Sequence, residues 1–402
     1  MATPQRQFAC DVVAQLREAG YTALWAGGCV RDQLLGLAPK DYDVATSATP
    51  DEVRKVFGRR KTIPVGASFG VMTVLGPKKA GQIEVATFRT DGGYSDGRHP
   101  DQVQFSTPEH DAQRRDFTIN GLFYDPQSEQ IHDFVGGEAD LLAGIVRAIG
   151  DPEARIAEDK LRMLRAVRFA ARFDFAIEPA TLQAVRDHAA EINQVSGERI
   201  GAEMRAMLVH PNRAAALTLL RTSELEPHVL PETVELTGDT WQELTGLVGR
   251  LEEPSYALVL AAVLSQVGDL RAGDSITSRW KLANRDADRA DWILDNRPTA
   301  LAADSTPWPK LQRVLIEDGA QELVALAAAL AGDDSPAVVH CRERLALPPE
   351  VLNPRPLVNG GDLIAEGLQP GPHFGALLEQ IRDAQLDGQI TTRDEAIAMA
   401  KQ

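Results

Sequence analysis

The stretch LWAGGCVRDQLLGLAPKDYD, residues 24–43, decides the fold of this chain. Its first three residues are apolar and predict a short strand, which meets a glycine pair and leads into a helix that stops at Gly36. Adjacent glycines such as Gly27 and Gly28 let backbone N–H groups approach a phosphate where a helix begins. Arg31 would add a charge-assisted contact. The stretch therefore predicts a binding site for the phosphates of a nucleotide.

Two carboxylates close the same stretch. Asp41 and Asp43 are two residues apart at the start of a predicted strand, so alternation places both on one face. Neighbouring carboxylates repel unless a cation lies between them, and magnesium prefers such oxygen ligands beside phosphates. A lone Asp-x-Asp is common in turns, but after a glycine turn it indicates a nucleoside triphosphate held with its metal. Glu84, on a later predicted strand, could supply a third carboxylate or be an ordinary surface glutamate.

Short strands and helices alternate around this stretch, whereas the chain after Asp151 is helical in pattern. The residues from 89 to 105, RTDGGYSDGRHPDQVQF, are rich in Gly and Asp and predict a long loop. The predicted elements before residue 150 are helices over 8–19, 29–36 and 50–57 and strands over 24–26, 43–46, 71–75, 83–88, 122–125 and 131–134. The first helices predicted beyond it are 153–173, 179–191, 198–209 and 211–223.

Two further blocks combine basic and acidic residues. In RRDFTIN, residues 114–120, the paired arginines are good anion and ribose ligands, although a capped helix start with exposed charges is the simpler alternative. In EDKLRMLRAVRFAARF, residues 158–173, helical spacing would align one polar stripe. A salt-bridged surface helix is the alternative there. The stripe consists of Asp159, Arg162, Arg165 and Arg168.

Composition bounds the class of protein. The 402 residues carry a net charge of −16, and 44% of them are hydrophobic, as in an ordinary globular protein. Residues 1–220 have a balance of −3 and residues 221–402 one of −13, so an anion is expected in the first half. Three cysteines without a CxxC disfavour a disulfide framework or a structural zinc site. With no apolar stretch long enough for a bilayer and no signal-peptide core, a cytoplasmic protein without a membrane partner is expected.

The motifs, in this order and spacing, resemble those of the class II tRNA nucleotidyltransferases, the CCA-adding enzymes, and of the similar bacterial poly(A) polymerases. GGCVRD, DYD, RRDFTIN and EDKLRMLRAVRFAARF carry the resemblance, together with DFVGGEADLLAGIVRAIGDP (133–152) and SGERIGAEMRAML (196–208). The end of the chain, around residues 359–381, is similar to longer family members. Residues 235–350 carry no motif that can be placed.

The resemblance implies an α+β head with a polymerase-β-like nucleotidyltransferase mixed sheet, followed by an all-α neck, body and tail. The expected boundaries are 1–150 for the catalytic head, 151–230 for the base-recognising neck, 231–352 for the body and 353–402 for the tail. The resemblance also implies addition of C and A from CTP and ATP to tRNA 3′ ends, with release of pyrophosphate.

The resemblance assigns roles to the candidate residues. Asp41 and Asp43 would hold two Mg²⁺ ions that activate the tRNA 3′-hydroxyl and stabilise the departing pyrophosphate. Gly28 and Arg31 would contact the triphosphate, and Arg115 would contact the nucleotide. The residues expected near the sugar are Asp116 and Asn120, and those expected to read the base are Asp159 and Arg162, assisted by Arg165 and Arg168.

Base reading by a carboxylate beside a guanidinium has an independent chemical logic. Cytosine and adenine both present an exocyclic amino donor next to a ring-nitrogen acceptor, which matches Asp159 beside Arg162. Guanine and uracil present the reverse order, and each mismatched buried polar group costs about 1–3 kcal/mol. Such a pair would accept CTP and ATP and reject GTP and UTP.

Other functions of the same class stay open. A shortened loop marks family members that stop at CC, whereas the loop here keeps its full length, with Asp91, Tyr94, Asp96, Arg98 and His99. The segment GRRKTIPVGASFGV (58–71) lacks the aromatic residue of the poly(A) polymerase signature, which favours CCA addition. An A-adding enzyme, a poly(A) polymerase and a non-catalytic RNA-binding protein are the alternatives. A phosphohydrolase built on His132–Asp133 lacks a second histidine cluster.

Overall fold

The computed structural model describes residues 3–65, 69–92, 102–268, 271 and 276–402. The chain divides into two compact units, Met1–Val234 and Glu235–Gln402. No helix in the described ranges combines the length and the apolar character that a membrane span requires.

The first unit is built on a mixed sheet of seven strands in the order β3-β4-β5-β2-β1-β8-β9, and two further strand pairs accompany it. The strands are β1 (Ala23–Ala26), β2 (Asp43–Thr46), β3 (Thr62–Ile63), β4 (Val71–Leu75), β5 (Gln82–Thr87), β6 (Arg89–Gly92), β7 (Gln102–Phe105), β8 (Phe123–Asp125), β9 (Gln130–His132), β10 (Ile145–Val146) and β11 (Ala176–Ile177).

The centre of the sheet is apolar on both faces. Every residue of β1 is buried, and β1 pairs antiparallel with both β2 and β8. Trp25 lies edge-on to Tyr42, with ring centroids 4.8 Å apart, and is tilted against Tyr124 at 5.4 Å. Because β2 runs parallel to β5, Asp43 is registered with Glu84 at one end of the sheet.

Helices surround this sheet and continue through the rest of the first unit. They are α1 (Pro4–Glu18), α2 (Gly28–Leu34), α3 (Pro50–Phe57), α4 (Pro108–Gln113), α5 (Gly137–Ala143), α6 (Pro152–Glu158), α7 (Arg162–Phe173), α8 (Pro179–Asp187), α9 (Gly197–Leu208), α10 (Arg213–Thr222) and α11 (Glu226–Val229). Short 3₁₀ turns include Arg59–Lys61 and Thr118–Asn120.

Two predictions about local structure are wrong. The helix expected over 153–173 is broken, because Asp159 adopts an extended conformation and its carboxylate accepts the N–H of Leu161, which starts α7 separately from α6. The loop expected over 89–105 contains instead the antiparallel pair β6–β7, with Arg89 opposite Phe105. Tyr94, Asp96, Arg98 and His99 lie outside the described residues, as does the side chain of Asp91.

The second unit is helical in its described residues. Its helices are α12 (Gly238–Arg250), α13 (Tyr256–Leu264), α14 (Ile276–Trp280), α15 (Asn284–Leu301), α16 (Trp308–Leu315), α17 (Ala320–Ala331), α18 (Pro336–Leu345), α19 (Pro349–Leu352), α20 (Gly360–Ala365), α21 (His373–Leu386) and α22 (Arg393–Ala400). The last three share a small core around Leu363 and Ile381. The mixed sheet followed by helices confirms the predicted fold class, and the finer division into neck, body and tail stays a prediction.

Candidate active site

A cavity of about 740 Å³ in the first unit collects most of the candidate residues. Its walls come from the β1–α2 turn, the start of β2, the segment after α4, and the helices α7 and α9. Eleven of the twelve candidates line it, and Glu84 is the exception. The eleven are Gly28, Arg31, Asp41, Asp43, Arg115, Asp116, Asn120, Asp159, Arg162, Arg165 and Arg168.

Gly27 allows the close approach of two walls of the cavity. Its backbone has φ +71°, a region that favours glycine, and its N–H donates to the carbonyl of Leu122 at 3.0 Å. A Cβ at this position would lie 2.8 Å from Nη1 of Arg115. The sequence of the turn is therefore explained by packing against a guanidinium as well as by room for a phosphate.

The carboxylates of Asp41 and Asp43 are exposed, whereas Tyr42 between them is buried under Trp25. Loss of hydration, and then the negative charges of Glu84 and Asp41, raise the pKa of Asp43 to about 6, against the opposing effect of Arg115. Crowded carboxylates of this kind are the oxygen donors that a hard divalent cation prefers. Asp41 and Asp43 therefore fit a metal.

Glu84 stands beside this pair without lining the cavity. Its Cα is paired with that of Asp43 across β2 and β5, and its charge acts on Asp43. Within the described ranges, no three His, Cys, Asp or Glu side chains form a group that could hold a metal ion. Of the three carboxylates at this end of the sheet, only Asp41 and Asp43 line the cavity, and further oxygen ligands of a metal would come from water or from a substrate.

Arg31 is anchored rather than mobile. The side chain is 4% exposed, its Nε donates to Asp32 at 2.8 Å, and its Nη1 donates to the Asn120 side chain at 2.5 Å. The guanidinium carbon lies 4.6 Å from the ring centroid of Phe173. Since Asp32 also binds Arg172 at 3.1 Å, one carboxylate orients two cations.

The RRD block is held by a buried acid that sequence reasoning missed. Asp111 in α4 is 1% exposed and binds both Arg114, at 2.7 Å, and Arg115, at 2.9 Å. Burial alone would raise the pKa of Asp111, but the two guanidiniums outweigh it and lower that pKa. The shared carboxylate lets two adjacent arginines lie at one wall of the cavity.

Asp116 is the most heavily bonded acid of the cavity. It accepts the N–H of Phe117 at 2.8 Å, the amide of Asn120 at 3.0 Å and the guanidinium of Arg165 at 2.6 Å. Burial opposes ionisation, but Arg165 and then Asn120 lower the pKa of Asp116 to about 2. This carboxylate is therefore ionised at neutral pH and joins α7 to the head.

The expected polar stripe exists only in part. Asp159 precedes α7, so it is not aligned with Arg162 on one helix, and the prediction of a single stripe is wrong at this residue. Its carboxylate binds Arg199 of α9 at 2.7 and 3.1 Å, whereas Arg162 binds Glu158 at 2.6 Å. Both still line the cavity that contains Asp41 and Asp43.

Several other cavity residues were not predicted to belong to the site. Arg199 lies in the quoted segment 196–208 and Arg172 in the quoted segment 158–173, but neither had a role, because their partners are distant in sequence. Glu203 of α9 binds Arg168 through a short contact and lies 3.6 Å from Arg165. Only the folded chain brings α7 and α9 together.

The acid of the His132–Asp133 pair has a structural task. Asp133 accepts the N–H groups of four consecutive residues, 135–138, at 2.9–3.0 Å and so caps α5. These hydrogen bonds outweigh the effect of burial and lower the pKa of Asp133. The pair is explained without a phosphohydrolase.

Comparison with known proteins identifies the family. Residues 23–147 match the model "Poly A polymerase head domain", residues 174–236 "Probable RNA and SrmB- binding site of polymerase A", and residues 347–400 "tRNA nucleotidyltransferase domain 2 putative". The CCA-adding enzyme of Geobacillus stearothermophilus is 34% identical, with 98% of this chain and 96% of that protein covered. The CCA-adding enzyme of Limosilactobacillus fermentum is 33% identical, with 97% and 94% covered.

A solved structure agrees over its whole length. The Bacillus stearothermophilus CCA-adding enzyme in complex with CTP superimposes with a TM-score of 0.81 at 32% identity, covering 100% of this chain and 98% of the other. With the cavity, the mixed sheet and one-third identity along both chains, this protein belongs to the family of CCA-adding tRNA nucleotidyltransferases.

Proposed function

We propose that the protein rebuilds the CCA end of tRNA, adding C and A from CTP and ATP without a nucleic-acid template and releasing pyrophosphate. The observation that carries the assignment of roles is the shared cavity, which Asp159 and Arg162 line together with Asp41 and Asp43. A site that reads the base and a site for phosphoryl transfer must both touch one bound nucleotide. The cytoplasm, where these substrates are made, is the proposed location.

The reaction is metal-dependent, and magnesium is the proposed ion. Asp41 and Asp43 would hold it, because both carboxylates are exposed at the cavity and their mutual repulsion calls for a cation. When bound, magnesium lowers the pKa of an attacking hydroxyl and offsets phosphate charge. Glu84 would act on the pair from the neighbouring strand by its charge alone.

The triphosphate would lie along the β1–α2 turn. The backbone at Gly28 leaves room for it, and Arg31 and Arg115 supply positive charge from two sides of the cavity. Both guanidiniums are already oriented by carboxylates, so little side-chain freedom is lost on binding. The tRNA 3′-hydroxyl would then attack the α-phosphate, and the bond from this phosphate to the leaving pyrophosphate would break. Pyrophosphate would leave on the side of Arg31 and Arg115.

The base would be read where α6 ends and α7 begins. Asp159 would accept the exocyclic amino group of cytosine or adenine, and Arg162 would donate to the adjacent ring nitrogen. Both groups now bind other partners, Arg199 and Glu158, so the entering base would share or replace these bonds. Asn120 and Asp116 would lie near the sugar. Arg165, bonded to Asp116, and Arg168, bonded to Glu203, would assist base reading.

The test uses purified protein with magnesium and three tRNA substrates, which end before the CCA sequence, after its second C, and after its A. Labelled CTP and ATP are supplied singly and together. We expect three additions, one addition and none, in that order. An Asp43→Asn variant purified in parallel must be inactive, which excludes a contaminating enzyme from the expression host.

The other outcomes separate the alternatives. Addition of A alone to the second substrate, with none to the first, would identify an A-adding enzyme. Continued addition of A to the complete end would identify a poly(A) polymerase. Absence of any addition, with tRNA still bound, would leave a non-catalytic RNA-binding protein.

A further inference from the structure

A second cavity, of about 430 Å³, lies beside the candidate active site and is used by no step above. Lys40, Arg168, Arg172 and His210 supply its polar groups, and Ala171, Ala206 and Met207 are among its apolar lining. We name it the basic cavity. Among the described residues that line it, none is acidic. All of these residues belong to the first unit.

Not every cation that lines the basic cavity is paired with a carboxylate. Arg31 and Arg172 share Asp32, and Arg165 and Arg168 share Glu203, with Asp116 as a further partner of Arg165. Lys40 is exposed and makes no ion pair within the described part of the chain. Of the three cations that line the basic cavity, Arg168 and Arg172 are each paired with a carboxylate, and Lys40 is not.

His210 adds a fixed hydrogen-bond donor to this charge. Its Nδ1 accepts the N–H of Asn212 at 3.1 Å, so the ring proton of the neutral form is on Nε2. The Asn212 side chain donates to the carbonyl of Ala171 at 2.9 Å, which fastens the loop to α7. Burial, and then the charges of Arg172, Arg213 and Lys40, lower the pKa of His210.

The location of the basic cavity relates it to the acid pair. Lys40 directly precedes Asp41 in the chain, and Arg168 and Arg172 line both the basic cavity and the candidate active site. A group bound there would therefore lie next to the metal-binding carboxylates. The phosphates of the nucleotide would lie along the β1–α2 turn. The basic cavity is therefore available to a phosphate of another molecule.

We propose that the basic cavity binds a backbone phosphate near the 3′ end of the RNA primer and thereby positions its terminal hydroxyl at the acid pair. Three cations, two of them already paired with carboxylates, and an imidazole N–H suit a phosphodiester, which carries one charge and exposed oxygens. The proposal rests on the proposed function, because it requires an RNA primer. Leaving pyrophosphate carries the same chemistry and is the competing source of the phosphate.

The test replaces single phosphates. A set of tRNA acceptor hairpins that end before CCA carries one neutral methylphosphonate linkage each, at one of the last four positions. Dissociation constants are measured for the intact protein, for Lys40→Ala and for Lys40→Arg. Lys78→Ala is the matched control, because Lys78 is an exposed lysine of the same unit that lines neither cavity.

We expect one neutral linkage to weaken binding to the intact protein by about tenfold, as for the loss of a charge-assisted contact. Lys40→Ala should bind the unmodified hairpin about tenfold more weakly and be insensitive to that linkage. For Lys40→Ala, the slope of log K against log salt concentration should be smaller in magnitude by about 0.7–0.9, the contribution of one phosphate. Lys40→Arg should recover the affinity, and the KM for CTP should be unchanged in all variants.

Equal sensitivity of Lys40→Ala and the intact protein at every linkage would overturn the proposal. So would a raised KM for pyrophosphate in the reverse reaction with unchanged primer affinity, which would assign the basic cavity to the leaving group. Failure of the proposed function is distinguishable, since the intact protein would then extend none of the hairpins.

Discussion

At the scale of single residues, the carboxylate of Asp159 is the group on which the proposed base selection would depend. It lies in the cavity, exposed enough to meet a base and oriented by Arg199 at 2.7 Å. Guanine and uracil would place a carbonyl acceptor against Asp159 and a ring N–H donor against Arg162, whereas the triphosphate would be bound by Arg31 and Arg115. Selectivity and affinity therefore have separable origins.

We predict that Asp159→Ala relaxes base choice more than it weakens triphosphate binding. Removing one mismatched acceptor, worth about 1–3 kcal/mol, should lower the preference for CTP over UTP by about tenfold or more. Single-nucleotide addition kinetics with each of the four triphosphates measures this. Asp187→Ala, an exposed aspartate of α8, is the control. An equal loss with all four nucleotides would contradict the prediction.

A second residue-scale prediction compares two glycines of nearly equal φ. Gly27 has φ +71°, and a Cβ added there would lie 2.8 Å from Arg115, whereas Gly36 has φ +72° and open space around it. Alanine at either position costs about 1–3 kcal/mol of folding free energy, with the larger cost at Gly27, whose ψ of −125° lies outside the left-handed helical region. Only Gly27→Ala should displace Arg115, with a loss of kcat/KM for CTP of about 100-fold.

Melting temperatures and steady-state kinetics on both variants separate the effect of backbone strain from that of the contact between the added Cβ and Arg115. Gly36→Ala should be destabilised and nearly fully active, and Gly27→Ala should be destabilised and impaired. Loss of activity to the same extent in both would show that backbone strain, and not the contact with Arg115, accounts for the glycine pair.

At the scale of elements, capping residues account for particular helix boundaries. The helix predicted over 50–57 has those bounds in the structure, because Thr49 and Glu52 form a reciprocal capping box in which Glu52 accepts the Thr49 N–H at 2.8 Å. The same chemistry made the prediction over 153–173 fail. Asp159 is a cap inside an otherwise continuous helical pattern, and its hydrogen bond to Leu161 starts a new helix.

The element-scale prediction concerns the junction of α1 with the β8–β9 hairpin. Asp125 ends β8 and accepts hydrogen bonds from Ser128 at 2.6 Å and from the N–H of Gln127 at 2.9 Å, and it binds Arg17 of α1 at 2.9 Å. Burial would raise the pKa of Asp125, but these contacts lower it from 3.8 to about 2. The folded state therefore favours the ionised form.

A lowered pKa in the folded state stabilises the protein above the unfolded value and loses that effect as pH falls through the folded value. We predict that Asp125→Asn lowers the free energy of unfolding by about 2 kcal/mol near pH 7, and that the difference shrinks between pH 4 and pH 2. Urea unfolding across this range measures it, with exposed Asp304→Asn as control. A difference independent of pH would refute the electrostatic origin.

At the scale of the whole molecule, positive charge collects at the candidate cavity although the net charge of the chain is negative. The chain carries −16, yet the candidate cavity collects eight arginines on its walls. Because the first half is nearly balanced and the second strongly acidic, RNA contacts are expected on basic surfaces of the first unit. Arg59 and Arg60 form one such surface, exposed on the 3₁₀ turn before β3.

We predict that Arg59→Glu with Arg60→Glu weakens tRNA binding by about tenfold and reduces the slope of log K against log salt, because each phosphate contact contributes about 0.9 to it. Titrations at several salt concentrations measure both quantities. Lys78→Glu with Lys79→Glu changes the charge equally on the β4–β5 turn and is the control. Unchanged binding in the arginine variant would place the RNA elsewhere.

The sequence by itself determined most of the elements and pointed to eleven residues that line one cavity. Alternation, caps and glycine turns act between neighbouring residues, so the strands, α3 and the turn at Gly27 are readable locally. Only the tertiary structure decided how the site residues are held. Asp159 binds Arg199 forty positions away, and Arg165 binds Asp116 forty-nine positions away. Such pairs form only after the core has packed, because no local pattern specifies which opposite charges the folded chain brings within hydrogen-bonding distance.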